Sequence, residues 1–149
     1  MAVKPIREGF HAITPYFFAR DAAKLAEFLV AAFNGKINSQ GKRPDGSIAH
    51  IEMRIGDSML MLGEPSGGIK PTSISIYLYV TDCDAIYAQA MRAGGIPFSP
   101  IMNLPSGERY GGIKDPAGNL WWIATHVEDV SPDEEQRRWK EFYENMKRK

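Results

Sequence analysis

The sequence predicts an α+β domain made of two consecutive βαβββ modules, curled into an eight-stranded sheet or cup and followed by a C-terminal helix. Three observations predict it. The order strand, helix, three strands is legible twice. A stretch holding Pro65, Gly67, Gly68 and Pro71 separates the two copies, and a charged segment with one apolar stripe follows the second. At 149 residues the chain suffices for one domain with a full core, whereas two independent domains would each be small and marginal. One domain over 1–149 is therefore expected, with module one at about 11–64, module two at about 73–127 and the helix at about 131–147.

Module one opens with a strand from Ala12 to Ala19. Asp21 then caps a helix to about Asn34, in which Leu25, Phe28, Leu29, Ala32 and Phe33 recur on one face, and Gly35 stops it. A short strand at Lys36–Ser39 leads through the turn residues Arg43-Pro44-Asp45-Gly46 to a strand at Ile48–Ile55. Gly56-Asp57 turns the chain into Met59–Leu62.

Module two repeats this order. Ile74–Val80 is a strand, Asp82 or Asp84 caps a helix to Ala93, and Gly94-Gly95 ends it. Strands follow near Pro97–Ile101, Glu108–Lys114 and Leu120–Ala124, parted by Pro105-Ser106-Gly107 and Asp115-Pro116-Ala117-Gly118. In the tail, Ser131, Pro132 and Glu134 form a capping box with proline at the first helical position. Trp139, Phe142, Tyr143 and Met146 make one apolar stripe, which is expected to dock on the chain's own domain.

Alternation along the strands divides each into two faces. Ile74, Ile76, Leu78 and Val80 are aliphatic and suit the helix side; Ser75, Tyr77 and Tyr79 share the other side. Thr14, Tyr16 and Phe18 oppose Ile13, Phe17 and Ala19, while His50, Glu52 and Arg54 oppose Ala49, Ile51, Met53 and Ile55. If the sheets curl so that these faces converge, Tyr16, Phe18, His50, Glu52, Tyr77, Tyr79, Glu108, Tyr110 and Trp122 line one concavity. Rings with polar tips suit contact with a ligand and some water.

Lys and Arg number 18, as do Asp and Glu, so no net field draws the chain to nucleic acid or an acidic membrane, and neither partner is expected. Cys83 is the single cysteine, which excludes an internal disulfide and a multi-thiolate zinc site and fits a reducing cytoplasm. Near a helix start it reads as a small buried side chain. Met1 to Phe10 carries Lys4, Arg7 and Glu8 without an apolar core, so no signal peptide is expected there, and no stretch has the length of a membrane span.

Four stretches carry a resemblance: Phe10-His11-Ala12-Ile13-Thr14-Pro15-Tyr16, Ile55-Gly56-Asp57-Ser58-Met59-Leu60-Met61-Leu62, Asp115-Pro116-Ala117-Gly118-Asn119-Leu120-Trp121-Trp122, and Thr125-His126-Val127-Glu128-Asp129-Val130-Ser131-Pro132. With the duplicated modules they resemble the vicinal-oxygen-chelate superfamily of glyoxalases, bleomycin-resistance proteins and dioxygenases, in its PhnB-like branch. The resemblance implies a cup usually built within a homodimer. In metal-using members it implies ligands from the first and last strand of each module. Carried over, those positions are Thr14, Leu60 or Met61, Ser75 and Trp122, none of them an imidazole or carboxylate. Divalent metals require several convergent nitrogen or oxygen donors. No cofactor is therefore expected; a divalent metal at shifted positions, with Glu64 and His126 as displaced candidates, is the alternative.

Two chemistries remain open. A cup lined by Thr14, Tyr16, Phe18, Ser75, Tyr77, Tyr79, Glu108, Arg109, Tyr110 and Trp122 would bind a small planar or aromatic molecule, as bleomycin-resistance proteins sequester drugs. Alternatively His50 and Glu52, two apart on one strand, act as the acid–base pair of a lyase or isomerase; their structural reading is a polar face salt-bridged with Arg54. His11 is expected to make a structural hydrogen bond. Ser106–Gly112 is glycine-rich but precedes a strand, so it cradles no phosphate; its glycines permit a bulge, and Arg109 or Tyr110 would edge the cup. No Gly-x-Ser-x-Gly elbow or His-Glu-x-x-His helix is present.

Overall fold

A computed structural model describes residues 2–149; Met1, the first residue of the stretch read above for a signal peptide, lies outside the described residues. The strands and helices run β1 Tyr16–Phe18, α1 Ala22–Phe33, β2 Lys36–Lys42, β3 Ile48–Ile55, β4 Ser58–Gly63, β5 Ser75–Tyr79, α2 Cys83–Arg92, β6 Ile96–Asn103, β7 Glu108–Lys114, β8 Leu120–His126 and α3 Pro132–Lys147. Both βαβββ modules and the closing helix are present. The strands form two four-stranded sheets, ordered β1-β4-β3-β2 and β5-β8-β7-β6. In each, the first strand runs parallel to the last and the other pairings are antiparallel.

Local chemistry fixes the boundaries. The first strand is shorter than expected: Pro15 has no N–H for a ladder, and only its carbonyl joins the sheet, accepting from the Met61 N–H at 2.9 Å. The Asp21 carboxylate caps α1 by accepting from the Lys24 N–H at 3.0 Å. At the other end Asn34, not Gly35, takes the left-handed conformation (φ 58°), which asparagine tolerates better than most residues. Asp82 caps α2, accepting from the Ala85 N–H at 3.1 Å, so Asp84 is free to pair with Arg109. Ser131 caps α3 through the Glu134 N–H.

The modules share one core. Phe17 of β1 stacks on Trp121 of β8, with centroids 5.6 Å apart and planes 5° from parallel, and Phe33 of α1 closes on the same indole at 4.8 Å. Each side chain of this size, fully buried, contributes about 1.5–3 kcal/mol. The helices meet directly, because the Gln89 amide of α2 donates to the carbonyls of Ala31 and Ala32 at the end of α1, 3.0 Å from each. Cys83 is buried at the start of α2.

The turn before β8 anchors this core. Asp115 is 2 % exposed; one oxygen accepts from the backbone N–H groups of Ala117 and Asn119, the other from the Asn119 amide and the Trp121 indole, all at 2.9 Å. A buried carboxylate with four donors loses little by desolvation, and here it fixes the angle of the central indole.

The tail departs from expectation. None of the residues of α3 is buried, so the helix does not dock its stripe on its own domain. Its root alone is tied down, through Arg138 gripping both Glu128 oxygens at 2.7 and 2.8 Å. Among the described residues, no helix is long and apolar enough to cross a membrane.

Candidate functional site: two outward ring-lined faces

Because successive strand residues point to opposite sides, the inward stack of Phe17 on Trp121 turns their neighbours outward. Tyr16 and Phe18 leave the core on the sheet-one side and Trp122 on the sheet-two side. Among the described residues, no ring pair or hydrogen bond joins Tyr16, Phe18, His50 or Glu52 with Ser75, Tyr77, Tyr79, Glu108, Tyr110 or Trp122. The faces therefore do not converge on one concavity within a single chain: the helix-side faces turn toward one core, and the ring-bearing faces look away from it.

The sheet-two face is a pre-ordered aromatic tier. Tyr110 lies nearly parallel to Trp122 at 5.2 Å (13°), Tyr77 stacks on Tyr110 at 6.4 Å, and Tyr79 leans on Tyr77 at 5.2 Å. Phe98, not singled out from the sequence, meets Trp122 edge-on at 5.7 Å. The Trp122 indole donates to the Ser75 hydroxyl at 3.1 Å, and its ring covers Gly112, where a Cβ would stand 2.9 Å from ring carbon. Gly111 and Gly112 thus admit close rings and make no bulge in β7, whose partner β6 carries the register shifts. Tyr77 and Tyr79 are 43 % and 62 % exposed, an unusual state for large rings on a sheet. Burial, with Tyr79 and Glu108 nearby, pushes the Tyr77 phenol up to about 12, so it is a neutral donor near pH 7.

Glu108 borders this tier. It accepts from the Ser106 hydroxyl, faces His126 Nδ1 at 3.0 Å and receives the Tyr79 hydroxyl at 3.5 Å. The Ser106 bond, then His126, hold its carboxyl below the usual range. His126 also meets Asp129 at 2.8 Å; Asp129 first and Glu108 second raise its pKa. Arg109 belongs elsewhere: it pairs with Asp84 of α2 at 2.8 and 2.9 Å, because alternation sets it on the helix side of β7, and it does not edge the tier.

The sheet-one face is more polar. Tyr16 and Phe18 stack at 4.6 Å. The Tyr16 hydroxyl lies 3.2 Å from His50 Nδ1, and His50 Nε2 lies 3.3 Å from Glu52 Oε1. A neutral imidazole protonated at Nε2 satisfies both bonds, accepting from the phenol and donating to the carboxylate. Glu52 is 5 % exposed and is gripped by Arg7 through both terminal guanidinium nitrogens, which above all holds its carboxyl below the usual range. Arg7, and not the expected Arg54, is thus the cation that pairs with Glu52; no local pattern signals it, since it lies 45 residues away from Glu52. Thr14 donates to the His11 carbonyl at 3.2 Å and does not join Ser75 and Trp122. That bond uses the His11 backbone; the ring is exposed.

The positions implied for metal ligands do not fit a metal. Pairing sets Met61 beside both Tyr16 and Glu52 on the outward face, which leaves Leu60 in the core. Met61, Thr14, Ser75 and Trp122 offer a thioether, two hydroxyls and an indole, a set without the anionic or imidazole donors a divalent ion requires. Of the displaced candidates, Glu64 accepts from the Ile48 N–H and His126 is engaged by two carboxylates. Among the described residues, no three His, Cys, Asp or Glu side chains gather to hold a metal ion.

Paired βαβββ modules with a shared helical core and ring-lined outer faces define a class of scaffold rather than a reaction. The sequence profile of the Glyoxalase/Bleomycin resistance protein/Dioxygenase superfamily matches residues 9–123, and the chain belongs to this superfamily. An uncharacterised protein of Mycobacterium tuberculosis is 33 % identical over 136 residues, covering 84 % of this chain and 80 % of that one. Among solved structures, TioX from a Micromonospora species superposes with a TM-score of 0.64 at 19 % identity, over 81 % of this chain and all (100 %) of that one. A PhnB protein from Bacillus cereus gives 0.63 at 16 % identity, over 77 % and 99 %. At these identities the structures speak for the fold alone.

Proposed function

We propose that this protein binds a small planar or aromatic organic molecule, without a metal, on the tier formed by Tyr77, Tyr79, Tyr110 and Trp122. The observation that carries this reading is the tier itself: four rings ordered before any ligand arrives, over a glycine that lets the indole lie flat. Pre-ordering lowers the entropic cost of stacking a ligand, and neighbouring Glu108 favours a cationic one. The donor set at the implied ligand positions supports metal independence. The ending Thr125 to Pro132 supports the PhnB-like branch, and the lone buried Cys83 fits a cytoplasmic setting.

A face open on one side is half a pocket. The other half is supplied, in this reading, by the sheet-one face of a second copy, whose Tyr16, Phe18 and His50 would close over the tier in a homodimer. Among the described residues the outer edge of β5 has no strand partner, and its aliphatic residues Ile76 and Leu78 are only half-buried within one chain, which favours such a closure.

Quenching of intrinsic tryptophan fluorescence by flat aromatic amines tests the reading. Binding tighter than about millimolar is expected, with Tyr77→Ala or Trp122→Ala weakening it tenfold or more, about 1.4 kcal/mol. Mixing a Tyr16→Ala, His50→Ala chain with a Trp122→Ala chain restores one intact pocket per mixed dimer if the closure is right. Absence of binding, or a tight divalent ion found by elemental analysis, would sink the proposal. The acid–base alternative keeps one supporting observation, the Tyr16–His50–Glu52 chain of hydrogen bonds, in which Arg7 holds the Glu52 carboxyl below the usual range.

A further inference from the structure

Helix α3 carries an apolar stripe that the domain does not bury, with Trp139 and Phe142 half-buried and the rest open. Trp139, Phe142, Tyr143 and Met146 lie on one side of it, and Tyr143 and Met146 are 56 % and 57 % exposed. The rings are already ordered: Trp139 stacks on Tyr143 at 5.7 Å and meets Phe142 edge-on at 5.6 Å. This is not a loose tail. The Gly107 carbonyl accepts from the N–H groups of both Val127 and Glu128, and Arg138 locks onto Glu128, so the helix is held at its root with the stripe facing outward.

Charge along α3 chooses the occupant. Its first turn holds Asp133, Glu134 and Glu135, and Lys147, Arg148 and Lys149 follow one another at its end. A parallel neighbour of the same sequence would set like charges together at both ends; an antiparallel one sets acid beside base twice. Glu134 is engaged within its own helix by Arg137 and Arg138, whereas Lys147 has no ion-pair partner among the described residues.

We propose that α3 pairs antiparallel with α3 of a second copy of this chain. The register that sets Trp139 against the partner's Tyr143 also sets Glu135 against the partner's Lys147. Two-fold symmetry makes each contact twice, and both stripes are buried in one seam. The surface is separate from the ring-lined faces, and its pairing needs no ligand.

Sedimentation equilibrium of the full-length protein tests this. Glu135→Lys and Lys147→Glu should each loosen the dimer about tenfold, because each turns two attractions into two repulsions, and the double variant should recover most of the loss. Tyr143→Ser should loosen it as well, with an unchanged melting temperature showing that the domain is intact. Single variants without effect, a double variant no tighter than the singles, or a chain that stays monomeric at high concentration would each overturn the pairing. Loss of fluorescence quenching in Tyr77→Ala reports on the tier alone, so charge variants without effect at α3 leave ligand binding by the tier standing, whereas a chain that stays monomeric at every concentration removes both this seam and the closure of the tier by a second copy.

Discussion

Glu52 and Arg7 show what a buried carboxylate requires. The glutamate is nearly inaccessible, and a guanidinium from the irregular N-terminal segment neutralises it. A carboxyl whose folded pKa lies below its unfolded one adds stability above the unfolded value and loses it as pH falls through the folded one. Arg7→Ala removes the largest cause of that depression. Its melting temperature should therefore fall furthest below wild type near pH 7, with the gap closing below about pH 4; a gap independent of pH contradicts this account. His126 has the opposite sign. Its raised pKa gives stability that is complete below about 6.5 and lost as pH rises through the folded value. Its titration by NMR should have a midpoint above that of a free histidine, and Asp129→Asn should bring it down. Asp115→Ala should cost about 3 kcal/mol in urea denaturation, since it strands the buried Trp121 indole and Asn119 amide without an acceptor.

At the scale of elements, caps and alternation were legible and competition between neighbours was not. Asp21 and Ser131 cap the helices expected of them, and β3 and β7 run over the residues that alternation marks. Asp82 and Asp84 were equivalent as caps in the sequence; in the structure Asp82 takes the cap and Asp84 pairs with Arg109 of β7. Gly112 read as a bulge residue, yet its role is to leave room for a ring from the next strand. Gly112→Ala should displace the Trp122 indole at a cost of about 1–3 kcal/mol and weaken ligand quenching while the fold persists. An alanine variant with wild-type stability and an unshifted Trp emission would show that the ring has space it does not use.

For the molecule as a whole, the duplicated pattern fixed the class of fold: two runs of strand, helix and three strands can each bury an aliphatic face only against their own helix and each other. Period-two alternation likewise fixed which residues share a face. Only tertiary structure decided which way the faces look, because alternation says that Tyr16 and Trp122 lie opposite Phe17 and Trp121 but is silent on whether two sheets sit side by side or turn their helix sides together. The inward stack of Phe17 on Trp121 made that decision, and with it left the rings of both faces open to a partner. Arg7 reached Glu52, and α3 stayed off the domain, for the same reason: contacts between segments far apart along the chain depend on packing that no local pattern encodes.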